Sequence, residues 1–253
     1  MALNFEGLPQ LFKHSKAFSQ GLGKERKGAG EIVVAQDGTG DFDTIEEAIK
    51  TIPKGGSIFL KDGIYILKNT LIIPSNTIIR GESHAAIIKT ATGKDLWISL
   101  SGKSNIWIEN LTFYLFFGLD TGGIINTGGS NSCTFKNINF KFGNTDVDVS
   151  LFIDLGSAST KLKILNCVAD TTEGNLFSII DSCSKAQIID NRFDTLDQVA
   201  WDGNITNCVF KGNFLRNLGF NEGDNNNIAI GNQTDNAITD TGAGNQIANN
   251  VVF

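Results

Sequence analysis

The chain has 253 residues, a formal net charge of −6, 41% hydrophobic and 19% charged residues, 28 glycines and 3 prolines. That length holds one large domain or two small ones with ample core, which excludes disorder over most of the sequence. Arginine occurs only at Arg26, Arg80, Arg192 and Arg216, so there is no arginine-rich stripe for phosphate contacts and nucleic acid is excluded as a partner. No apolar run approaches the ~18 residues that a membrane span requires. Asparagine occurs 26 times, half of them from Asn204 to Phe253. Asparagine and glycine favour turns over helix interiors, which argues against a helical bundle.

The opening residues carry Glu6 and Pro9 where a secretory signal would place its apolar stretch, so the chain as written is made in the cytoplasm or has lost its signal. Leu8, Leu11, Phe12, Ser15 and Phe18 then recur at helical spacing, and residues 21–30, GLGKERKGAG, read as a flexible basic linker. Residues 1–30 are therefore expected to form a short helix plus linker, either docking elsewhere or folded back on the main body. Residues 31–253 form the main domain.

Glu31–Ala35 reads as a strand and DGTGD as a tight turn. Asp43-Thr44-Ile45-Glu46-Glu47 offers a capping box before an amphipathic helix with Ile45, Ala48, Ile49 and Ile52 on one stripe, stopped by Pro53. Between Gly55 and Ser83 lie three or four apolar strands of three to five residues each, separated by Gly, Asn, Pro or Ser turns, and no helix is expected beyond them.

The remainder repeats one unit: a short alternating apolar strand, an Asn turn, then another short strand. Asn105–Phe113, Asn131–Phe140, Lys161–Val168, Lys185–Phe193 and Asn227–Asn232 share it. The turn residues Asn110, Asn137, Asn166, Asn191, Asn213, Asn232 and Asn250 are spaced from 29 down to 18 positions apart. A period in the twenties with no helix per repeat is the mark of a parallel β-solenoid, in which each coil is too small to bury its own interior and stacks on its neighbours. Asn suits the corners because it tolerates the left-handed conformation and its amide can bond to the coils above and below. Cys133, Cys167, Cys183 and Cys208 sit in apolar strand text without a CxxC pair and read as buried thiols.

The segment IVVAQDGTGDFDTIEEAIKTIPKGGSIFLKDGIYIL resembles the entry of pectin-lyase-like right-handed parallel β-helix proteins, and NNIAIGNQTDNAITDTGAGNQIANNVVF resembles the closing rungs of bacterial and phage, tailspike-like members. The resemblance implies an all-β, right-handed, single-stranded parallel β-helix with an N-terminal capping helix over residues 31–253. It also implies a polysaccharide partner. The catalytic signatures of polygalacturonase-like members are lacking apart from a lone Asn144-Thr145-Asp146, and no GDFIFG-like esterase segment is present.

Two groups of residues remain for chemistry. Acidic residues thicken along the middle coils, and Asp146, Asp170, Asp194 and Asp197, with Arg192 as the nearby base, form the candidate catalytic set. Aligned on the turn asparagines, several carboxylates would share one side of the column, where two could act as acid and base or several could hold calcium. They could equally decorate solvent-facing turns. Tyr114, Phe116 and Phe117 belong to a run with more aromatics than one thin column can hide, and Trp201 sits in a Gly-flanked loop; these four are the candidate sugar-stacking residues. The run also fits a subunit interface or a loop folded over the core. Trp107, between Ile106 and Ile108, is expected to face outward.

The sequence-level reading is a glycan-engaging β-helix of a phage tail appendage or bacterial surface, hence virion-associated or extracellular, without a strong catalytic signature. Its alternatives are a polysaccharide lyase or glycoside hydrolase, and a purely structural stalk. A helix covers the first coil but no such element follows Asn249-Asn250-Val251-Val252-Phe253, which leads to the expectation of a homo-oligomer, a trimer.

Overall fold

The structure is a computed structural model and describes residues 30–90, 98–115, 125–126, 128–142, 149–151, 153–154, 159–170, 176–178, 183–193, 204–215 and 217–253. Apart from Gly30, the helix and linker expected over 1–30 lie outside the described residues.

Short alternating strands dictate the architecture. Every strand pairing among the described residues is parallel and joins a segment to its counterpart one coil later. A first ladder runs through Ile32–Val34, Gly56–Leu60, Thr77–Gly81 and the leading halves of Ser104–Leu115 and Asn131–Phe142. It continues through Lys163–Leu165, Gln187–Ile189, Val209–Lys211, Ile228–Ile230 and Gln246–Ala248. A second ladder runs from Gly63–Leu67 and Ala86–Thr90 through the trailing halves of the same two long strands. It ends with Val168–Asp170, Arg192–Phe193, Phe214–Leu215, Gln233–Thr234 and Val251–Val252. The third side is shorter, stacking Leu71–Ile72, Ile98–Ser99, Ile125–Asn126 and Ile153–Asp154. The chain is a parallel β-helix.

Period-2 alternation makes each ladder a wall with one inward row per pair of residues. In the first ladder the inward row is Ile32, Ile58, Ile79, Ile108, Phe135, Ile164, Ile188, Phe210 and Ala229, all buried. In the second it is Tyr65, Ile88, Phe113, Phe140, Ala169, Phe193 and Leu215, with Phe113 and Phe140 stacked at 5.6 Å between centroids. The rows end on Ile247 and Val252, 40% and 51% exposed. At the other end, helix α1 (Ile45–Lys50) lies against Ile32–Val34 and buries Ile45, Ala48 and Ile49. It starts where Thr44 Oγ1 accepts the Glu47 N–H at 3.3 Å, as the capping pattern predicts.

The corners follow a rule that the apolar pattern alone does not reveal. From Asn105 onward two columns of left-handed residues run along the helix, five residues apart within each coil: Asn105 and Asn110, Ser132 and Asn137, Lys161 and Asn166, Lys185 and Asp190, Asn207 and Gly212, Asn226 and Gly231, Gly244 and Asn249. Asn137 Nδ2 donates to Asn110 Oδ1 at 2.9 Å, and Asn105 Nδ2 to Asn76 Oδ1 at 3.0 Å.

Here the turn asparagines divide into two sets. Asn110, Asn137 and Asn166 occupy the left-handed corner, but Asn191, Asn213, Asn232 and Asn250 sit one place further on, where Leu111, Ile138 and Cys167 point inward in earlier coils. The corners of those later coils are Asp190, Gly212, Gly231 and Asn249. Register is set by the inward Ile164 and Ile188, and a one-residue slip would turn every side chain over. The inward amides satisfy each other. Asn213 Oδ1 accepts from Asn191 N at 3.0 Å and Nδ2 at 2.9 Å, while Asn213 Nδ2 donates to Ile188 O at 2.7 Å and Asn232 Oδ1 at 2.9 Å. Asn232 repeats the arrangement with Phe210 O and Asn250.

Because Asn213 is buried and fully bonded, Asn213→Ala is expected to lower unfolding free energy by about 2 kcal/mol or more, since it strands the Asn191 donors and the Ile188 carbonyl on the preceding coil and removes a donor from Asn232 Oδ1 on the following one. Urea denaturation followed by circular dichroism measures this; a loss under about 0.5 kcal/mol would remove the amide stack from the stabilising interactions. Lys185 holds φ at 59°, a conformation that costs a side chain roughly 1–2 kcal/mol. Lys185→Gly is therefore expected to raise stability by about 0.5–1 kcal/mol after the added freedom of the unfolded glycine is deducted, read in the same titration.

Candidate functional site

Outward positions of the second ladder bring Tyr114 and Arg192 onto one face. Tyr114, half-buried, stands in register between Lys89 of the preceding coil and Lys141 of the following one, and Asp170 takes the next place after Lys141. Lys89 Nζ lies 5.6 Å from the centre of the Tyr114 ring, a cation–π contact. The neighbouring outward row runs Ile64, Ile87, Thr112, Asn139, Val168, Arg192, Phe214 and Gln233. Within it the Arg192 guanidinium carbon sits 5.8 Å from the Phe214 ring centre. Coils repeat about every 4.8 Å, so the surface presents aromatic rings flanked by cations at the pitch of the backbone ladder.

Two loop contacts shape the edge of this face. Thr112 Oγ1 donates to His84 O at 2.7 Å, and His84 Nε2 lies 2.9 Å from Asn137 O, two coils away. The Glu82–Ala85 turn is thereby fastened over the Asn110 corner, where Asn110 Nδ2 bonds Gly81 O and Glu82 O at 2.9 and 3.0 Å.

The outer face of the first ladder is built differently. Arg80 pairs with Glu31 at 2.9 Å and lies 5.2 Å over Phe59, while Lys136 lies 5.9 Å from the Trp107 ring. Trp107 faces outward between the buried Ile106 and Ile108. A shallow groove of about 430 Å³ on the early coils is lined by Pro53, Lys54, Ile72, Pro74, Ser75, Asn76 and Lys103, none of them among the candidate residues.

Of the sequence-derived candidates, Tyr114 and Arg192 share the second-ladder face, with Arg192 in register with Val168, two residues before Asp170 in the same ladder. The register differs by one residue from an alignment of coils on Asn166 and Asn191, because Asp190 is the counterpart of Asn166. Asp146, Asp194, Asp197, Phe116, Phe117 and Trp201 lie outside the described residues. Lys89 and Lys141 were not singled out from sequence; alternation from Ile88 and Phe140 places them outward, but only register between coils of unequal length places them beside Tyr114.

Among the described residues no three His, Cys, Asp or Glu side chains converge as a metal site. The buried acid Asp224 is structural: its two oxygens accept the Ile205 N–H at 2.9 Å and the Asn221 N–H at 2.6 Å. Burial raises its pKa, and those two donors oppose the shift.

No protein-family model matches the chain. The Arabidopsis thaliana protein "Probable pectinesterase/pectinesterase inhibitor 23" is 37% identical over 97 residues, covering 31% of this chain and 17% of that protein, so the match spans less than a fifth of the relative. Among solved structures, pectin methylesterase PemA from Erwinia chrysanthemi has a TM-score of 0.48 at 16% identity, covering 85% of this chain and 81% of that one. The A-module of the Azotobacter vinelandii mannuronan C-5 epimerase gives 0.39 at 15% identity, covering 92% and 76%. ORF18 of Geobacillus virus E2 gives 0.28 at 12% identity, covering 99% and 64%. On the parallel pairings of its own coils, the chain has a parallel β-helix fold.

Proposed function

We propose that this chain is a carbohydrate-engaging β-helix that binds polysaccharide across the outer face of its second ladder. The observation that carries the reading is the register of Lys89, Tyr114 and Lys141 on consecutive coils, beside Arg192 over Phe214. Aromatic faces stack on sugar rings, flanking ammonium and guanidinium groups donate to hydroxyls or carboxylates, and a surface that repeats coil by coil suits a polymer. The stretch shared with a protein named as a pectinesterase supports a carbohydrate partner. In this reading residues 1–30 attach the β-helix to a phage tail appendage or bacterial surface, where it works as a trimer.

A second reading, a lyase or hydrolase, draws on Asp170 and Arg192 standing on adjacent coils of the second ladder, with Asp146, Asp194 and Asp197 completing the acidic set and calcium as the ion such a set would hold. Ultraviolet absorbance for unsaturated ends and reducing-sugar release distinguish turnover from binding. Failure to bind or cleave any polysaccharide would leave a structural stalk.

Affinity electrophoresis of the full chain through gels containing uronate or neutral polysaccharides tests the main reading. Tyr114→Ala, with folding checked by circular dichroism, is expected to weaken retention about tenfold, the loss of one stacking contact worth about 1–1.5 kcal/mol. Unchanged retention of that variant would move the site off this face.

A further inference from the structure

We propose that Cys183 and Cys208 are a site of oxidative cross-linking, at which a peroxide joins two successive coils through a disulfide. All four cysteines are buried thiols, but their surroundings differ. Cys183 Sγ and Cys208 Sγ lie 3.8 Å apart, 25 residues apart in the chain and on neighbouring coils. Cys208 stacks over Ala186, whose N–H donates to its sulfur at 3.4 Å, and its thiol reaches back across the corner toward Cys183. A disulfide needs a sulfur separation of about 2.0 Å, so a short approach with rotation of the two side chains completes the bond. The sulfurs sit just behind a corner whose outer residues, Lys185 and Asn207, are exposed, giving a small oxidant a short path.

The electrostatics of the pair agree with its geometry. The sulfur–sulfur hydrogen bond, which either thiol can donate, and burial push the Cys183 thiol up, while the same bond favours the thiolate at Cys208. Among the described residues Cys167 has no such partner: its thiol faces the Leu165 carbonyl at 3.4 Å and the Phe135 carbonyl at 3.7 Å, and burial pushes its pKa up to about 12. Burial likewise raises Cys133. The thiolate is the nucleophile in thiol oxidation, so the pair reacts while the other two stay inert.

The chemistry balances. The Cys208 thiolate attacks one oxygen of hydrogen peroxide and becomes a sulfenic acid as hydroxide leaves. Cys183 sulfur then attacks the sulfenic sulfur, its proton passes to the departing oxygen, and water leaves. Two thiols and one peroxide give one disulfide and two waters.

The test treats the native full chain with hydrogen peroxide, blocks remaining thiols with iodoacetamide under denaturing conditions, and maps peptides after trypsin and Glu-C. Cleavage after Glu173 separates Cys167 from Cys183. Expected is one cross-linked species joining the Cys183 and Cys208 peptides, lighter than their sum by two hydrogens and dissolved by dithiothreitol, with Cys133 and Cys167 fully alkylated. The oxidised protein should melt roughly 7 °C higher or more, as a 25-residue closure in a chain of this size implies, and Cys208→Ser should lose both the link and the gain. The proposal is overturned if Cys183 and Cys208 remain alkylatable, if they proceed to sulfonic acids without linking, or if a link forms through Cys133 or Cys167.

Discussion

Everything in this molecule depends on parallel coils stacking at the hydrogen-bonding distance of a β-sheet. A coil of some twenty residues owns too few apolar side chains to close a core, so Ile164 is buried only because Phe135 and Ile188 lie in register below and above it. Stability is therefore shared between neighbours rather than held by any one segment, and the energetic unit is the interface between coils. The alternation that builds the core also builds the outside. The pairing that stacks Phe113 on Phe140 sets Tyr114 beside Lys141.

Where the coils shorten, the interior changes chemistry. Leu111, Ile138 and Cys167 give way to Asn191, Asn213 and Asn232 at the same inward place. Buried amides carry a desolvation cost, tolerable here because each finds partners: Asn213 and Asn232 take two N–H groups on the oxygen and Asn191 takes the Cys167 N–H, while each nitrogen donates to an amide oxygen and a main-chain carbonyl. A narrow column has less room for branched apolar side chains, and a planar amide bonded both to the next coil and to the main chain fills that space while fixing the register.

Much of the architecture could be read from residues alone. Ile106 and Ile108 flanking Trp107 gave direction, Thr44 and Glu47 marked the start of the capping helix, and the spacing of asparagines gave the coil. What escaped was the distinction between two roles of one residue type. Asparagine is chosen at a left-handed corner for its backbone tolerance and one position later for its amide, and sequence shows only that it is there. Lys161 and Lys185 at left-handed corners were illegible for the opposite reason, since lysine has no preference for that conformation. Tyr114, Asp170 and Arg192 were chosen as candidates by chemical type alone, whereas the register that sets Tyr114 between Lys89 and Lys141 needed the pairing between coils of unequal length.

The constant five-residue interval between the two left-handed columns has a consequence for how such a chain can change. The coil shortens from 29 residues between Asn137 and Asn166 to 18 between Asn232 and Asn250, yet the corner pairs keep their interval throughout. From Asn105 onward the variation is absorbed outside the two ladders, on the side that carries the third stack. Insertions and deletions there leave the inward rows and the amide stacks untouched, so that side is the free margin on which descendants of this sequence can graft new surface loops without renegotiating the column.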